Sequence, residues 1–263
     1  MRKDLQQKQM LEFAVKIAIA SGSIARKYFR TTVRVDNKSQ TLFDPVTRAD
    51  REIEQFLRAK IRKHYPEHGI IGEEQGATTG DGWTWIIDPI DGTRGFITGA
   101  PMWGTLLGLC HKDQPVLGLM HQPFVRETFY ADGKGAWLRQ GKTDRALATR
   151  NTRKLEDAII YCTHPDLFKS VREKAAFAKL EAECRFSRYG SDCYAYCLLA
   201  AGYVDLVVEA DLQAYDIIPL IPVIESAGGV ITDWEGNSPL QGGRVIAAAN
   251  RSLHRTAISL LKS

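Results

Sequence analysis

The sequence concentrates its chemistry in Trp85-Ile86-Ile87-Asp88-Pro89-Ile90-Asp91-Gly92-Thr93. An apolar run that reads as a buried strand ends in two carboxylates, Asp88 and Asp91, three positions apart. Burying one ionised carboxylate is costly. Burying two side by side is worse unless a cation lies between them. Pro89 fixes the backbone between them, and Gly92 allows a tight turn. Thr93 is placed to cap a short helix from Arg94 onward, whose first amides would face an anion. The plainer reading is a strand end with an Asp turn.

Other carboxylates bear on that choice. Gly72-Glu73-Glu74 ends a second apolar run, Tyr215-Asp216 opens the apolar stretch 217–224, and Asp50 lies at a helix start. Taken singly, Asp50 and Asp216 are explained as helix N-terminal caps, and Glu73 and Glu74 as a solvated turn. Together, oxygen ligands at strand ends and helix starts suit Mg²⁺, which takes carboxylates, water and substrate phosphate.

The elements that must position these groups follow from periodicity. Met10, Phe13, Ile17 and Ile24 recur at helical spacing, so the first thirty residues read as an amphipathic helix. Residues 33–37 look like a short strand. A second helix is expected over 47–64, with Ile53, Phe56, Leu57 and Ile61 on one face, a capping box at Thr47 and Asp50, and Pro66 as its stop. Strands over 69–72 and 83–88 flank a Gly/Thr-rich loop, 76–82. Strands 105–110, 116–122 and 127–131 have the short spacing of an antiparallel meander.

The remainder alternates. Strands are expected at 158–162, 205–209, 230–232 and 245–248, and helices at 170–183, 193–201, 216–226 and 253–261. An antiparallel first half and an alternating second half point to a layered α+β/α/β architecture. One domain over 1–263 is expected, with sub-domains of roughly 1–150 and 151–263; no linker, repeat or low-complexity tract divides it.

Composition excludes several classes. The chain has 263 residues, 44% hydrophobic and 25% charged, which rules out a disordered or fibrous protein. The net charge of +4 is scattered, so neither nucleic acid nor an anionic membrane surface is called for. No apolar stretch approaches the roughly 18 residues of a membrane span, and the start has no secretory h-region. Five cysteines without a C-x-x-C pair argue against a disulfide framework or a structural zinc site and for a cytoplasmic location.

Competing motifs fail on their surroundings. Ala136-Trp137-Leu138-Arg139-Gln140-Gly141-Lys142-Thr143 satisfies a relaxed phosphate-loop pattern, but its residues are bulky and no helix follows; a hairpin turn fits better. His64 and His68 have helical spacing, but Pro66 stands between them. Cys193 and Cys197 share a helix face as buried thiols. No Gly-x-Ser-x-Gly elbow supports a serine hydrolase.

With these motifs in place, the chain resembles the inositol monophosphatase family of Mg²⁺-dependent phosphomonoesterases. Asp44-Pro45-Val46-Thr47-Arg48-Ala49-Asp50, Ile71-Gly72-Glu73-Glu74, Asp88-Pro89-Ile90-Asp91-Gly92-Thr93, and Tyr215-Asp216 through Glu225-Ser226-Ala227-Gly228-Gly229 carry the resemblance. It implies an α-β-α-β-α sandwich of the inositol monophosphatase/fructose bisphosphatase type and a homodimer. It implies that Glu73, Asp88 and the Ile90 carbonyl hold a first metal, and Asp88, Asp91 and Asp216 a second; Glu73 would help with a third. Thr93 and Asp50 match the pair that orients the attacking water. The amides of Gly92 and Thr93 match those that hold phosphate oxygens.

Two stretches resemble the histidinol-phosphatase branch: residues 93–105, and Gly190-Ser191-Asp192-Cys193-Tyr194-Ala195-Tyr196 continuing to 205–210. Asp192 stands where inositol enzymes usually have a small apolar residue, with Glu209 close by. Histidinol phosphate carries an ammonium and an imidazole that such acids would bind. Inositol offers only hydroxyls, which Glu209 and Asp216 alone would engage. The plainer reading of Asp192 is a cap of the following helix. Arg188 would contact substrate or pair with a carboxylate. The expected activity is hydrolysis of L-histidinol phosphate; the alternatives are an inositol-1-phosphate or broad sugar-phosphate phosphatase, and a non-catalytic module that binds a phosphorylated ligand.

Overall fold

The computed structural model describes residues 2–32, 35–37 and 45–262. Asp44 of the first motif, and Val33 and Arg34 of the first expected strand, lie outside the described residues. The chain opens with α1 (Arg2–Tyr28), a two-stranded ribbon of β1 (Val35–Asn37) and β2 (Pro45–Thr47), and α2 (Arg48–His64). Thr47 and Asp50 form the expected capping box. An eight-stranded sheet follows. It comprises β3 (Gly69–Gly72), β4 (Gly76–Thr78), β5 (Trp83–Asp91), β6 (Gly104–His111), β7 (Gln114–Gln122), β8 (Glu127–Ala131), β9 (Ala136–Gln140) and β10 (Thr143–Ala146), with α3 (Thr93–Thr98) after β5. Its order is β10-β9-β8-β7-β6-β5-β3-β4, antiparallel except for β3 beside β5. The phosphate-loop lookalike is the β9–β10 hairpin.

The second sheet has five strands. Its elements are β11 (Ile159–Cys162), α4 (Val171–Glu183), β12 (Phe186–Tyr189), α5 (Asp192–Ala200), β13 (Leu206–Leu212), α6 (Ala214–Ile217), α7 (Ile221–Ser226), β14 (Val230–Asp233), β15 (Gly243–Ala248) and α8 (Arg251–Lys262). The order is β12-β11-β13-β15-β14.

Strand periodicity divides the core into layers. On β6, Leu107 and Leu109 face α1 and α2, while Leu106 faces α5 and α7. On β13, Val207 joins that middle layer, and Leu206 and Val208 face α4 and α8. The result is the α-β-α-β-α sandwich. Both sheets are covered on both faces, which is why their central strands read as unbroken apolar runs.

Three expectations need correction. The helix expected over 216–226 is two pieces, because Pro219 lacks an amide hydrogen and interrupts the ladder. Thr93 is not a cap: Gly92, with φ 82°, takes the cap position and Thr93 is the first helical residue. The loop 76–82 contains β4, and β4, β10 and β12 are short, largely exposed edge strands whose pattern gave no signal.

Candidate active site

Residues three apart on a regular strand face opposite sides of the sheet. Asp88 and Asp91 nevertheless come together, because β5 carries a bulge between them. Asp88 pairs with Leu106 and Asp91 with Gly104, so three steps on β5 match two on β6. Pro89 sits in the bulge, where its missing amide hydrogen leaves no gap in the ladder, and its carbonyl accepts from the Thr105 hydroxyl at 2.9 Å. The extra residue restores the parity of the two carboxylates. Ile86 shares the face of Asp88 and packs against Ile218. Asp216, two residues before Ile218, is thereby delivered over the same spot.

The outcome is a group of carboxylate oxygens from Asp88, Asp91 and Asp216 lying within 4.8 Å of one another. The charges of Glu73, Asp91 and Asp216 all act on Asp88. Glu73 reaches it from the turn after β3, whose amide donates to the Ile87 carbonyl at 3.2 Å. Burial pushes Asp88, Asp91 and Asp216 well above the usual carboxylate range, and their mutual charges add to the effect. Acids so close need a positive charge between them, a shared proton or a metal ion. The donor set is all oxygen, the choice of a hard divalent cation such as Mg²⁺.

Asp50 and Asp216 do cap their helices: Asp50 Oδ2 accepts from the Thr47 amide at 2.8 Å, and Asp216 Oδ2 from the Gln213 amide at 2.7 Å. For Asp216 the capping role coexists with a place in the cluster, and for Asp50 with the charges of the Glu73 turn. Asp50 is buried and raised to about 7, by burial first and then by the charges of Glu74 and Glu73. The Thr93 hydroxyl donates to the Ile90 carbonyl at 3.0 Å, which leaves that oxygen a second lone pair.

Asp91 and Asp216 connect the cluster to a cavity of about 240 Å³ that Gly92, Thr93, Asp192, Tyr196 and Glu209 also line. This falls just below the roughly 300–1,000 Å³ of drug-sized ligand sites, so it suits a small metabolite. Asp192 does not cap α5; it is the first helical residue, held at φ 42°, and Ser191 takes the cap position. Its carboxylate lies against Gly92. Burial and the Asp91 charge raise its pKa, and Arg94 opposes them. Glu209 is 1% exposed. Its Oε1 accepts from the Thr163 amide and hydroxyl at 2.8 and 3.0 Å, whereas its Oε2 is buried without a partner, as is the Tyr196 hydroxyl.

Arg188 is exposed on the edge strand β12, and neither it nor Asp50 is among the residues that line the cavity or in the carboxylate group. In the other direction, Thr163, Tyr196 and Arg94 line the cavity without having been singled out from the sequence. Tyr196 was hidden among buried neighbours of α5, and nothing in its local pattern marked the hydroxyl as facing a cavity.

A five-layer sandwich with a carboxylate cluster beside a small polar cavity defines a metal-dependent phosphoesterase. The chain belongs to the inositol monophosphatase family, whose model matches residues 6–263, and it is a phosphomonoesterase. It is 39% identical to the bifunctional phosphatase IMPL2, chloroplastic, of Arabidopsis thaliana, over 94% of this chain and 73% of that protein. It is 31% identical to the histidinol-phosphatase of Mycobacterium tuberculosis, over 96% and 98%. A solved inositol monophosphatase from Zymomonas mobilis superposes with a TM-score of 0.86 at 35% identity, covering 97% of this chain and 98% of that one. No helix among the described residues is long and apolar enough to cross a membrane.

Proposed function

We propose that the chain hydrolyses L-histidinol phosphate to L-histidinol and phosphate. Two or three Mg²⁺ ions would be held by Glu73, Asp88, Asp91, Asp216 and the Ile90 carbonyl. The observation that carries the substrate choice is a second carboxylate, Asp192, lining the cavity beside the buried, unpartnered Oε2 of Glu209. A buried acceptor without a donor is costly. An ammonium and an imidazole on the leaving group would satisfy both acids, whereas the hydroxyls of inositol would leave Arg94 as the cation that opposes the Asp192 charge. The similarity to a histidinol-phosphatase supports this reading.

When bound, Mg²⁺ supplies Lewis acidity toward the attacking water and the departing oxygen. Thr93 and Asp50 orient that water. The amides of Gly92 and Thr93 hold phosphate oxygens, and Asp192 and Glu209 hold the leaving group. Burial pushes the Cys193 thiol up, away from the reactive thiolate. The homodimer expected from the family is part of the proposal, to be read by light scattering.

The test is phosphate release from histidinol phosphate, inositol 1-phosphate, fructose bisphosphate and adenosine bisphosphate, with Mg²⁺ and with a chelator. Histidinol phosphate should give the highest kcat/KM, and only with Mg²⁺. Asp192→Ala should lower that value about 10–100-fold, the worth of a hydrogen bond to a charged group, and change inositol 1-phosphate turnover far less. Equal losses on both substrates, or preference for inositol 1-phosphate in the parent, would overturn the assignment.

A further inference from the structure

The turn that carries Glu73 is held from below by a buried ion pair. Glu54 and Arg58 lie one helical turn apart on α2, with side chains 0% and 3% exposed, and Arg58 Nε donates to Glu54 Oε1 at 2.7 Å. Both groups also hold the turn after β3. Glu54 Oε2 accepts from the Glu74 amide at 2.7 Å, and Oε1 from the Gln75 amide at 3.0 Å. Arg58 Nη2 donates to the Gly76 carbonyl. The fit is close: a Cβ at Gly72 would come within 2.6 Å of Glu54 Cδ and 2.8 Å of Arg58 Nη2.

A buried ion pair seldom adds stability over well-packed apolar residues, because desolvating both charges offsets their attraction. Its presence here asks for another purpose. Asp50, Glu54 and Arg58 run along α2 at four-residue spacing, so one rigid helix face carries the Asp50 carboxylate and the clamp on the Glu73 turn. The turn is pinned on its other side by the Glu73 amide on Ile87, one residue before Asp88. Two independent anchors thus fix where the Glu73 carboxylate meets Asp88.

We propose that Glu54, locked by Arg58, is a positioning residue for the metal centre: by holding the amides of Glu74 and Gln75 it sets the placement of Glu73, and hence the affinity for Mg²⁺, without touching the ion. This rests on the carboxylate cluster being the Mg²⁺ site. Glu54→Gln is nearly the same shape, but its amide nitrogen replaces an acceptor with a donor opposite a backbone N–H. The Glu73 turn loses one anchor while the carboxylate cluster keeps all its members.

The measurement is Mg²⁺ binding to the full chain by calorimetry without substrate, alongside the Mg²⁺ dependence of phosphomonoester hydrolysis. Glu54→Gln should weaken Mg²⁺ binding about tenfold and raise the half-saturating Mg²⁺ concentration in parallel, with kcat at saturating Mg²⁺ within about threefold of the parent. Arg58→Lys keeps the charge but loses the fork to Gly76, and should weaken binding about two- to threefold. Asp205→Asn is the control. That carboxylate is buried, pairs with Arg150 at 3.0 Å and the Ile159 amide at 2.9 Å, and lies outside the cluster. It should lower Tm and leave Mg²⁺ affinity unchanged. A Glu54→Gln protein that is less stable yet binds Mg²⁺ like the parent would overturn the proposal; should it not fold, unchanged affinity in Arg58→Lys does so. A parent that binds no Mg²⁺ would overturn the metal-centre reading instead.

Discussion

Asp91→Asn is expected to lower kcat/KM at least about a thousandfold while leaving the fold intact. The asparagine keeps the shape of the side chain and an oxygen for the Cys193 amide, which Asp91 Oδ2 now accepts at 2.6 Å. It removes a charge that lies within 4.8 Å of Asp88 and Asp216. Charge stabilisation by a bound metal is worth several kcal/mol in the transition state, and about 4 kcal/mol is a thousandfold in rate. The metal-free variant should melt at or slightly above the parent, because a like charge has left a crowded, desolvated group. The parent at 100 times its Mg²⁺ dissociation constant should gain about 2.7 kcal/mol by mass action, or about 5–10 °C in Tm for a chain of this size. Asp91→Asn should lose most of that gain. Thermal denaturation with and without Mg²⁺, beside phosphate release, separates the two effects. Parent-like turnover, or an undiminished Mg²⁺ shift, would show that Asp91 holds no ion.

Local rules made much of this legible in the sequence. Thr47 and Asp50 announce a capping box and Pro66 a stop, so α2 was expected to within a residue. The apolar runs of β5, β6 and β7 declare strands buried on both faces. What pattern alone does not show is parity. At a spacing of three, Asp88 and Asp91 belong on opposite faces of a strand, and only the bulge at Pro89 reunites them. That bulge depends on pairing with β6, a long-range fact. The break at Pro219 was readable in hindsight, since a proline inside a helical pattern ends it. Arg188, a cation near a motif in sequence, lies exposed on a sheet edge and is not among the residues that line the cavity. Glu54 and Arg58 carried a local signal, two charges among Ile53, Leu57 and Ile61 on the apolar face of α2, but their partners are twenty residues away in the Glu73 turn. Charged residues on a buried face announce a partner without naming it.

A large expected loss of stability comes from a position that chemistry does not mark. Gly108 and Gly118 face each other across β6 and β7. Glycine ordinarily weakens a strand interior unless another backbone approaches closely. Here that backbone is Pro219, between α6 and α7. A Cβ at Gly118 would overlap the Pro219 carbonyl oxygen and lie 2.8 Å from its carbon; one at Gly108 would lie 3.1 Å from Pro219 Cα. The clash at 118 meets main chain, which cannot swing aside as a side-chain tip does. Overpacking costs roughly 1–3 kcal/mol, and Gly118→Ala belongs at or above the upper end of that range. For a chain of this length that is a fall of about 6–12 °C in Tm. Gly108→Ala, with the looser contact, should fall less. Pro219 is three residues past Asp216, so whatever lifts it also displaces that carboxylate, and Gly118→Ala should weaken Mg²⁺ binding as well as melt early. Thermal denaturation of both variants, with a Mg²⁺ titration of each, reads stability and site together. If Gly118→Ala melts with the parent, the sheet does not hold Pro219 closely. If it melts early but binds Mg²⁺ as the parent does, Asp216 is placed by its own cap at Gln213 rather than by the glycine trough beneath the next turn.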